Sequence, residues 1–258
     1  MGSGDVRLLM TGGSGRLGRA LRVELEAQAA TGHETPYAHF ATSSDADVTD
    51  AAAVARLIDE VRPDVVLHAA GYTDVLRAEQ DRAACWRVNV DGTRTVANET
   101  ASTGARLVQV SSDYVFFGGD DRPDGGYRED DPVGPVRNYY ALSKLVAEEA
   151  ARRAPQALIV RTSFRPSEWL HPVAFDDLFT GQDYVDVIAK EFALLLSRLD
   201  ELPDGILHLV TERKSVYELV RRRTPEVRRG SRRDAAVELP EDVSLNTDLW
   251  QALKAGRS

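Results

Sequence analysis

A short apolar run, a glycine-rich turn and an amphipathic helix open this chain in that order, and no other stretch restricts the fold as tightly. Val6-Arg7-Leu8-Leu9-Met10 reads as a buried strand. Thr11-Gly12-Gly13-Ser14-Gly15-Arg16-Leu17-Gly18 follows at once, and a helical pattern then runs through Leu21, Leu25 and Ala29. In such a turn Gly12 permits a tight bend, Gly15 lets a pyrophosphate approach the backbone, and Gly18 lets the helix pack close on the strand. The helix N-terminus presents free N–H groups and the positive end of its dipole to phosphate. The loop from Gly12 to Gly18 is therefore a candidate dinucleotide site. The competing reading is a glycine-rich turn that holds nothing.

Strands and helices alternate from there. Pro36 to Ala41 reads as a second strand, followed by Thr42-Ser43-Ser44. An acidic residue near this strand end would bond a ribose 2′-hydroxyl. None stands directly there, and small hydroxyls such as Ser43 leave room for a 2′-phosphate. Arg16 or Arg19 could pair with that phosphate, although both also read as solvated helix residues. The balance favours NADP(H) over NAD(H). Asp47, with Val48 beside it, is placed to reach the adenine edge. Thr49 or Asp50 caps a helix over Ala51–Val61. A third strand, Asp64 to His68, runs into Ala69-Ala70-Gly71-Tyr72, where small residues let the backbone pass close to a cofactor. His68 itself reads as a packed histidine. A helix over 81–102 carries Asn89 on an apolar face, where it needs a buried partner and would tie two strand ends together. The next strand, Arg106 to Val110, ends in Ser111-Ser112-Asp113-Tyr114, at the edge of a parallel sheet where ligands sit. Gly118 to Pro135 is a long surface loop of the kind that borders active sites.

Asn138-Tyr139-Tyr140-Ala141-Leu142-Ser143-Lys144 lies on the following helix. Tyr140 and Lys144 share one helix face, one turn apart. A free phenol has a pKa of about 10, and a neighbouring ammonium lowers it. The pair then suits proton transfer to or from a carbonyl or alcohol oxygen. Alone, the spacing also recurs as an ordinary surface pair. After a strand at Ala157–Arg161 the pattern loosens into a helix over Val185–Leu199, a strand over Gly205–Val210, a helix over Val216–Arg223 and a last helix within Leu245–Leu253. The fold class expected is α/β: a Rossmann-type, doubly wound parallel sheet. Residues 1–163 form its dinucleotide-binding domain and residues 164–258 a small substrate lobe, appended to it or interleaved with it.

Composition limits the partners. With a net charge of -9, non-specific nucleic-acid binding is not expected. The single cysteine, Cys85, forms no internal disulfide and fits a reducing compartment. No apolar run approaches the roughly 20 residues of a membrane span. No secretory leader is evident, and Val6 stands where a myristoylation signal wants Ser or Thr. A cytoplasmic protein is the expectation. No metal-ligand set is assigned. Arg221, Arg222, Arg223, Arg228, Arg229, Arg232 and Arg233 form a basic run that is either a clamp for a substrate diphosphate or a solvated surface.

Together these segments resemble the extended short-chain dehydrogenase/reductases, and within them the dTDP-4-dehydrorhamnose reductase (RmlD-like) sugar-nucleotide branch. Thr11–Gly18, Asp47–Asp50, His68–Thr73, Val88–Gly92, Ser111–Phe116, Tyr127–Asp130, Tyr140–Glu148 and Arg161–Ser163 carry the resemblance in the right order; Gly205–Glu212 and Asp242–Leu249 match more loosely. The resemblance implies a ketoreductase. Tyr140 would be its general acid, Lys144 would lower the phenol pKa and hold the nicotinamide ribose, and Ser112 would supply the catalytic hydroxyl, usually Thr in this branch. It implies cofactor contacts from Gly12, Gly13, Ser14, Gly15, Arg16, Leu17, Gly18, Ser43, Asp47, Val48, Ala69, Ala70, Gly71, Asn89 and Ser111, besides Tyr140 and Lys144. A nucleotide-sugar substrate and a homodimer through the helices around Asn89 and Tyr140 follow by analogy. Other members of the fold are non-catalytic NADP-binding regulatory subunits, or epimerases and dehydratases. The chain departs from the branch at Phe117, where Asp is usual, at Phe164-Arg165-Pro166, and in a shortened region between about Ser163 and Tyr184.

Overall fold

The computed structural model describes residues 6–118 and 123–256. Met1-Gly2 and positions 119–122 of the expected loop lie outside them. The elements are β1 (Arg7–Thr11), α1 (Arg16–Ala30), β2 (Tyr37–Ala41), α2 (Ala51–Val61), β3 (Val65–His68), α3 (Val75–Gln80), α4 (Arg82–Trp86), α5 (Gly92–Thr103), β4 (Arg106–Ser112), α6 (Tyr139–Ala151) and β5 (Ala157–Thr162). Four short strands follow: β6 (Phe164–Arg165), β7 (Val173–Phe175), β8 (Phe179–Thr180) and β9 (Asp183–Tyr184). Then come α7 (Val185–Ser197), β10 (Gly205–His208), β11 (Lys214–Ser215), α8 (Val216–Arg221), β12 (Arg228–Gly230) and α9 (Asp248–Ala255).

Six strands make the central sheet in the order β10-β5-β4-β3-β1-β2, every pair parallel. Its strands are apolar on both faces, as burial between two helical layers demands. Leu8, Met10, Leu67, Val108, Val110, Leu158 and Val160 pack with Leu17, Leu21 and Leu25 of α1 and Ile188 and Phe192 of α7. On the other face Leu9, Val66, Leu107 and Ile159 pack with Val54, Leu57 and Ile58 of α2 and Val96 and Ala97 of α5. From β1 the chain steps outward to β2, then crosses back to β3 and proceeds the other way. The strand order thus reverses between β1 and β3, and a crevice opens beyond their carboxyl ends.

Local chemistry sets the helix ends. The Asp50 carboxylate accepts from the Ala53 N–H at 3.1 Å and starts α2; Asn138 does the same for α6 through the Ala141 N–H at 2.8 Å. The expected helix over 81–102 runs unbroken from Arg82 to Thr103, but it is not α throughout. Arg87–Asp91 forms a π turn between α4 and α5, and it carries Asn89. The C-terminal part is not purely peripheral. Its α7 and β10 belong to the main layers, while β7, β8, β11 and β12 pair in two small ribbons over a cluster of Ala174, Leu178, Val216, Val220 and Val227. Among the described residues no helix is long and apolar enough to cross a membrane.

The basic run does not reach the crevice. Arg222 pairs with Glu212 at 2.7 Å, Arg223 with Asp186 at 2.8 Å, Arg229 with Asp176 at 3.4 Å and Arg232 with Glu241 at 2.8 Å. These arginines neutralise carboxylates of their own lobe, and the diphosphate-clamp reading of the run gives way to the solvated-surface one.

Candidate active site

The strand ends open into a cleft of about 790 Å³. One end is built by the glycine loop. Gly12 holds φ at +74°, and a Cβ there would stand 2.7 Å from the Ala70 backbone nitrogen, so the loop and the Ala69–Gly71 segment touch backbone to backbone. Gly18 sits behind the loop, where a Cβ would meet the Gly12 and Gly13 carbonyl oxygens at 2.6 Å. The Gly13 N–H donates to the Ala41 carbonyl at 2.8 Å, which ties the loop to the end of β2. Gly13 and Gly18 therefore shape the cleft from behind, while Gly12, Ser14, Gly15, Arg16 and Leu17 line it. Helix α1 starts at Gly15 with no side-chain cap and no acidic residue in its first turn. Its N-terminal dipole is left for an anion from outside. These residues fit a dinucleotide diphosphate.

Further out lie Ser43, Asp47 and Val48. The Asp47 Oδ1 accepts from the Thr49 N–H and hydroxyl, both at 2.9 Å, and these bonds, the backbone one first, hold its carboxyl below the usual range. Asp45 is likewise turned away, onto the Thr42 N–H at 2.6 Å and hydroxyl at 2.8 Å. Arg16 faces the cleft, whereas Arg19 donates to the Ser14 carbonyl and braces the loop.

His68 is the packed residue its position suggested. Its Nδ1 lies 2.6 Å from the Thr11 hydroxyl and its Nε2 3.2 Å from that of Thr93. Thr93 spends its proton on the Asn89 carbonyl at 2.7 Å, so its oxygen accepts from Nε2–H, and Thr11 donates to Nδ1. Burial pushes the imidazole pKa down to about 3, and the ring stays neutral. Asn89 ties two elements together: its Oδ1 accepts from the Tyr72 N–H at 2.7 Å, and its Nδ2 donates to the Tyr72 carbonyl at 3.1 Å and the Ser143 hydroxyl at 2.8 Å. The loop after β3 is thereby fastened to α6.

The inner end gathers Ser112, Tyr140 and Lys144, with Asp113 and Tyr114 beside them. The Tyr114 ring meets Tyr140 edge-on at 6.1 Å. Ser112 lines the cleft with Tyr140, and its oxygen caps the next turn through the Tyr114 N–H at 3.2 Å. Ser111 lines the cleft, but its hydroxyl points away and donates to Glu148 at 2.6 Å. One expectation needs correction. The lysine was to lower the phenol pKa; instead burial raises it, and Lys144 is not among its main electrostatic neighbours. Lys144 Nζ donates to the Val110 carbonyl at 2.6 Å, and burial brings its own pKa down to about 8. Sharing a helix face places the two side chains together but does not say which strand carbonyl the ammonium will choose.

Other lining residues stand at positions the sequence marked without giving them a role in a reductase. Asp113 is buried, accepts from Thr180 at 2.6 Å and Ser112 at 3.2 Å, and is pushed up to about 6 by burial. Arg165 and Trp169 line the far wall; they stand in the departure from the expected motif, and only the mismatch marked them.

The profile of the RmlD substrate-binding-domain family matches residues 6–190. The chain belongs to this family. It is 39% identical over 203 residues to a dTDP-4-dehydrorhamnose reductase of Mycobacterium tuberculosis, which covers 77% of this chain and 59% of that protein. A second enzyme of that name, from Streptomyces griseus, is 39% identical over 160 residues, 61% of this chain and 49% of the relative. The chain thus spans about half to three fifths of the length of these curated relatives. The crystal structure of the Bacillus anthracis dTDP-4-dehydrorhamnose reductase in complex with NADP superposes with a TM-score of 0.81 at 26% identity, over 96% of this chain and 92% of that one. In this RmlD-family chain Ser112, Tyr140 and Lys144 stand at one strand end, and Phe164, Arg165 and Pro166 line the same cleft.

Proposed function

We propose that this chain is an NADP(H)-dependent reductase of a keto group on a nucleotide-activated deoxysugar, similar to dTDP-4-dehydrorhamnose reductase. The observation that carries the reading is the convergence of Ser112, Tyr140 and Lys144 on one end of a cleft whose other end is an uncapped helix N-terminus behind a glycine loop. Gly12 to Leu17 would hold the diphosphate, and Ser43, Asp47 and Val48 the adenosine end. Bound there, a reduced nicotinamide supplies hydride to a carbonyl carbon. Ser112 orients the carbonyl oxygen, and Tyr140 donates its phenolic proton to that oxygen. Burial raises the phenol pKa and keeps it protonated near neutrality, so Tyr140 enters the reaction in the form that can donate. Lys144, its ammonium on the Val110 carbonyl at 2.6 Å, would hold the nicotinamide ribose. NADP(H) is favoured over NAD(H) because Asp45 is spent on Thr42 and Arg16 borders the cleft.

The alternatives weaken on the same geometry. A regulatory subunit has no need of the three converged groups. A dehydratase wants a free acid near the sugar, and both Asp113 oxygens are held by hydroxyls. Assembly as a homodimer and a cytoplasmic location remain part of the proposal. Tyr140→Phe tests it: turnover should fall by about 10²–10⁴-fold while NADPH still binds. Unchanged turnover would remove Tyr140 from the chemistry.

A further inference from the structure

A nucleotide sugar, or any polar ketone carrying an oxyanion, needs a cation on the substrate side of the cleft. The basic run does not supply one, since none of its arginines lines the cleft. Arg165 stands on the cleft wall instead. Its guanidinium lies over the Trp169 ring, 5.0 Å from the centroid. Its Nε is buried and makes no hydrogen bond, and the same holds for the indole Nε1 of Trp169. Buried polar atoms of this kind nearly always have a partner. Arg165 also enters no ion pair among the described residues. Glu168, on the same wall, is exposed and does not pair with it. Arg165 shares the cleft lining with Tyr114 and Asp113 on the catalytic side and Arg16 on the glycine-loop side, so it borders the space between the reacting centre and the diphosphate site. Both orphaned groups are donors. Their complement is a group that only accepts.

We infer that Arg165 and Trp169 form an oxyanion subsite for the substrate, a phosphate or carboxylate held by the guanidinium and the indole N–H next to the reacting carbonyl. An arginine fork suits either anion. The inference rests on the reductase reading in one respect: the neighbouring space is taken to belong to the dinucleotide.

The test is isothermal titration of the full chain saturated with NADP⁺, using sodium pyrophosphate in one arm and sodium malonate in the other. At least one anion should bind, and the arm that binds identifies the group as phosphate or carboxylate. Arg165→Met should weaken that binding tenfold or more, and Trp169→Phe, which keeps the ring and removes the N–H, severalfold. Both variants should bind NADP⁺ within about twofold of the parent. Arg165→Lys, which keeps the charge and the stack, should recover part of the loss and exclude a folding defect. No anion binding by the parent, or binding unaffected by Arg165→Met, overturns the inference. So does a tenfold loss of NADP⁺ affinity in Arg165→Met, since the donors would then serve the cofactor. Failure of the parent to bind NADP⁺ counts against the reductase reading alone; the same titrations in cofactor-free protein then decide the subsite.

Discussion

Lys144→Met should inactivate the protein and make it more stable. Lys144 is 7% exposed, and burial carries its pKa from the ordinary 10.5 down to about 8. At about 1.4 kcal/mol per pKa unit, that displacement means the fold bears a cost of about 3 kcal/mol for the ammonium near neutrality. The bond from Nζ to the Val110 carbonyl returns about 1.5 kcal/mol. Methionine fills similar space without the charge, so the variant should gain on the order of 1–2 kcal/mol at pH 7, a few °C in Tm for a chain of this size. The sign of the pH dependence follows from linkage. Below pH 8 the lysine is charged in both states and the cost is fully present. Between pH 8 and 10.5 the folded lysine has lost its proton and the unfolded one has kept it, so the parent gains stability as pH rises. Urea denaturation of cofactor-free parent and variant at pH 7 and pH 10 should show the gap closing. A variant less stable than the parent at pH 7, or a gap that does not change with pH, would refute the reasoning.

Other outcomes follow from the same geometry. Gly12→Ala should abolish NADPH binding in a titration, because the added Cβ meets the Ala70 nitrogen at 2.7 Å with φ at +74°. Glu148→Ala should cost about 3–5 kcal/mol in a denaturation experiment, since it strands Arg161, which is bonded to Glu148 at 2.9 Å with both side chains 3% exposed. Asp113→Asn should remove an acid limb near pH 6 from the kcat/KM profile; burial places that carboxyl's pKa at about 6, and an unchanged profile would show that its ionisation does not matter to turnover.

The parts of this molecule legible in the sequence are those set by neighbours along the chain. Helix α2 begins and ends where its apolar spacing and the Asp50 cap place it, and the glycine loop announces itself between a strand and a helix. What escaped depends on contacts far apart in sequence. Nothing in Val88-Asn89-Val90 shows that the helix must widen into a π turn, with Asn89 bonding Tyr72 and Ser143. The two-residue strands β6, β8, β9 and β11 are too short to carry a period and exist only through their partners. Tyr140 and Lys144 could be placed on one helix face, but the Val110 carbonyl that takes the ammonium belongs to another element. The resemblance located Arg165 only as a mismatch; its orphaned Nε is visible only in three dimensions.

The central claim is that the strand-end cleft reduces a ketone at the expense of NADPH. Purified protein should be mixed with NADPH and a 4-keto-6-deoxy nucleotide sugar, with cofactor absorbance and sugar product followed together. The account predicts NADPH oxidised in step with loss of the ketone, and little oxidation with Tyr140→Phe. Sugar conversion without net NADPH consumption, or no binding of NADPH at all, would contradict it.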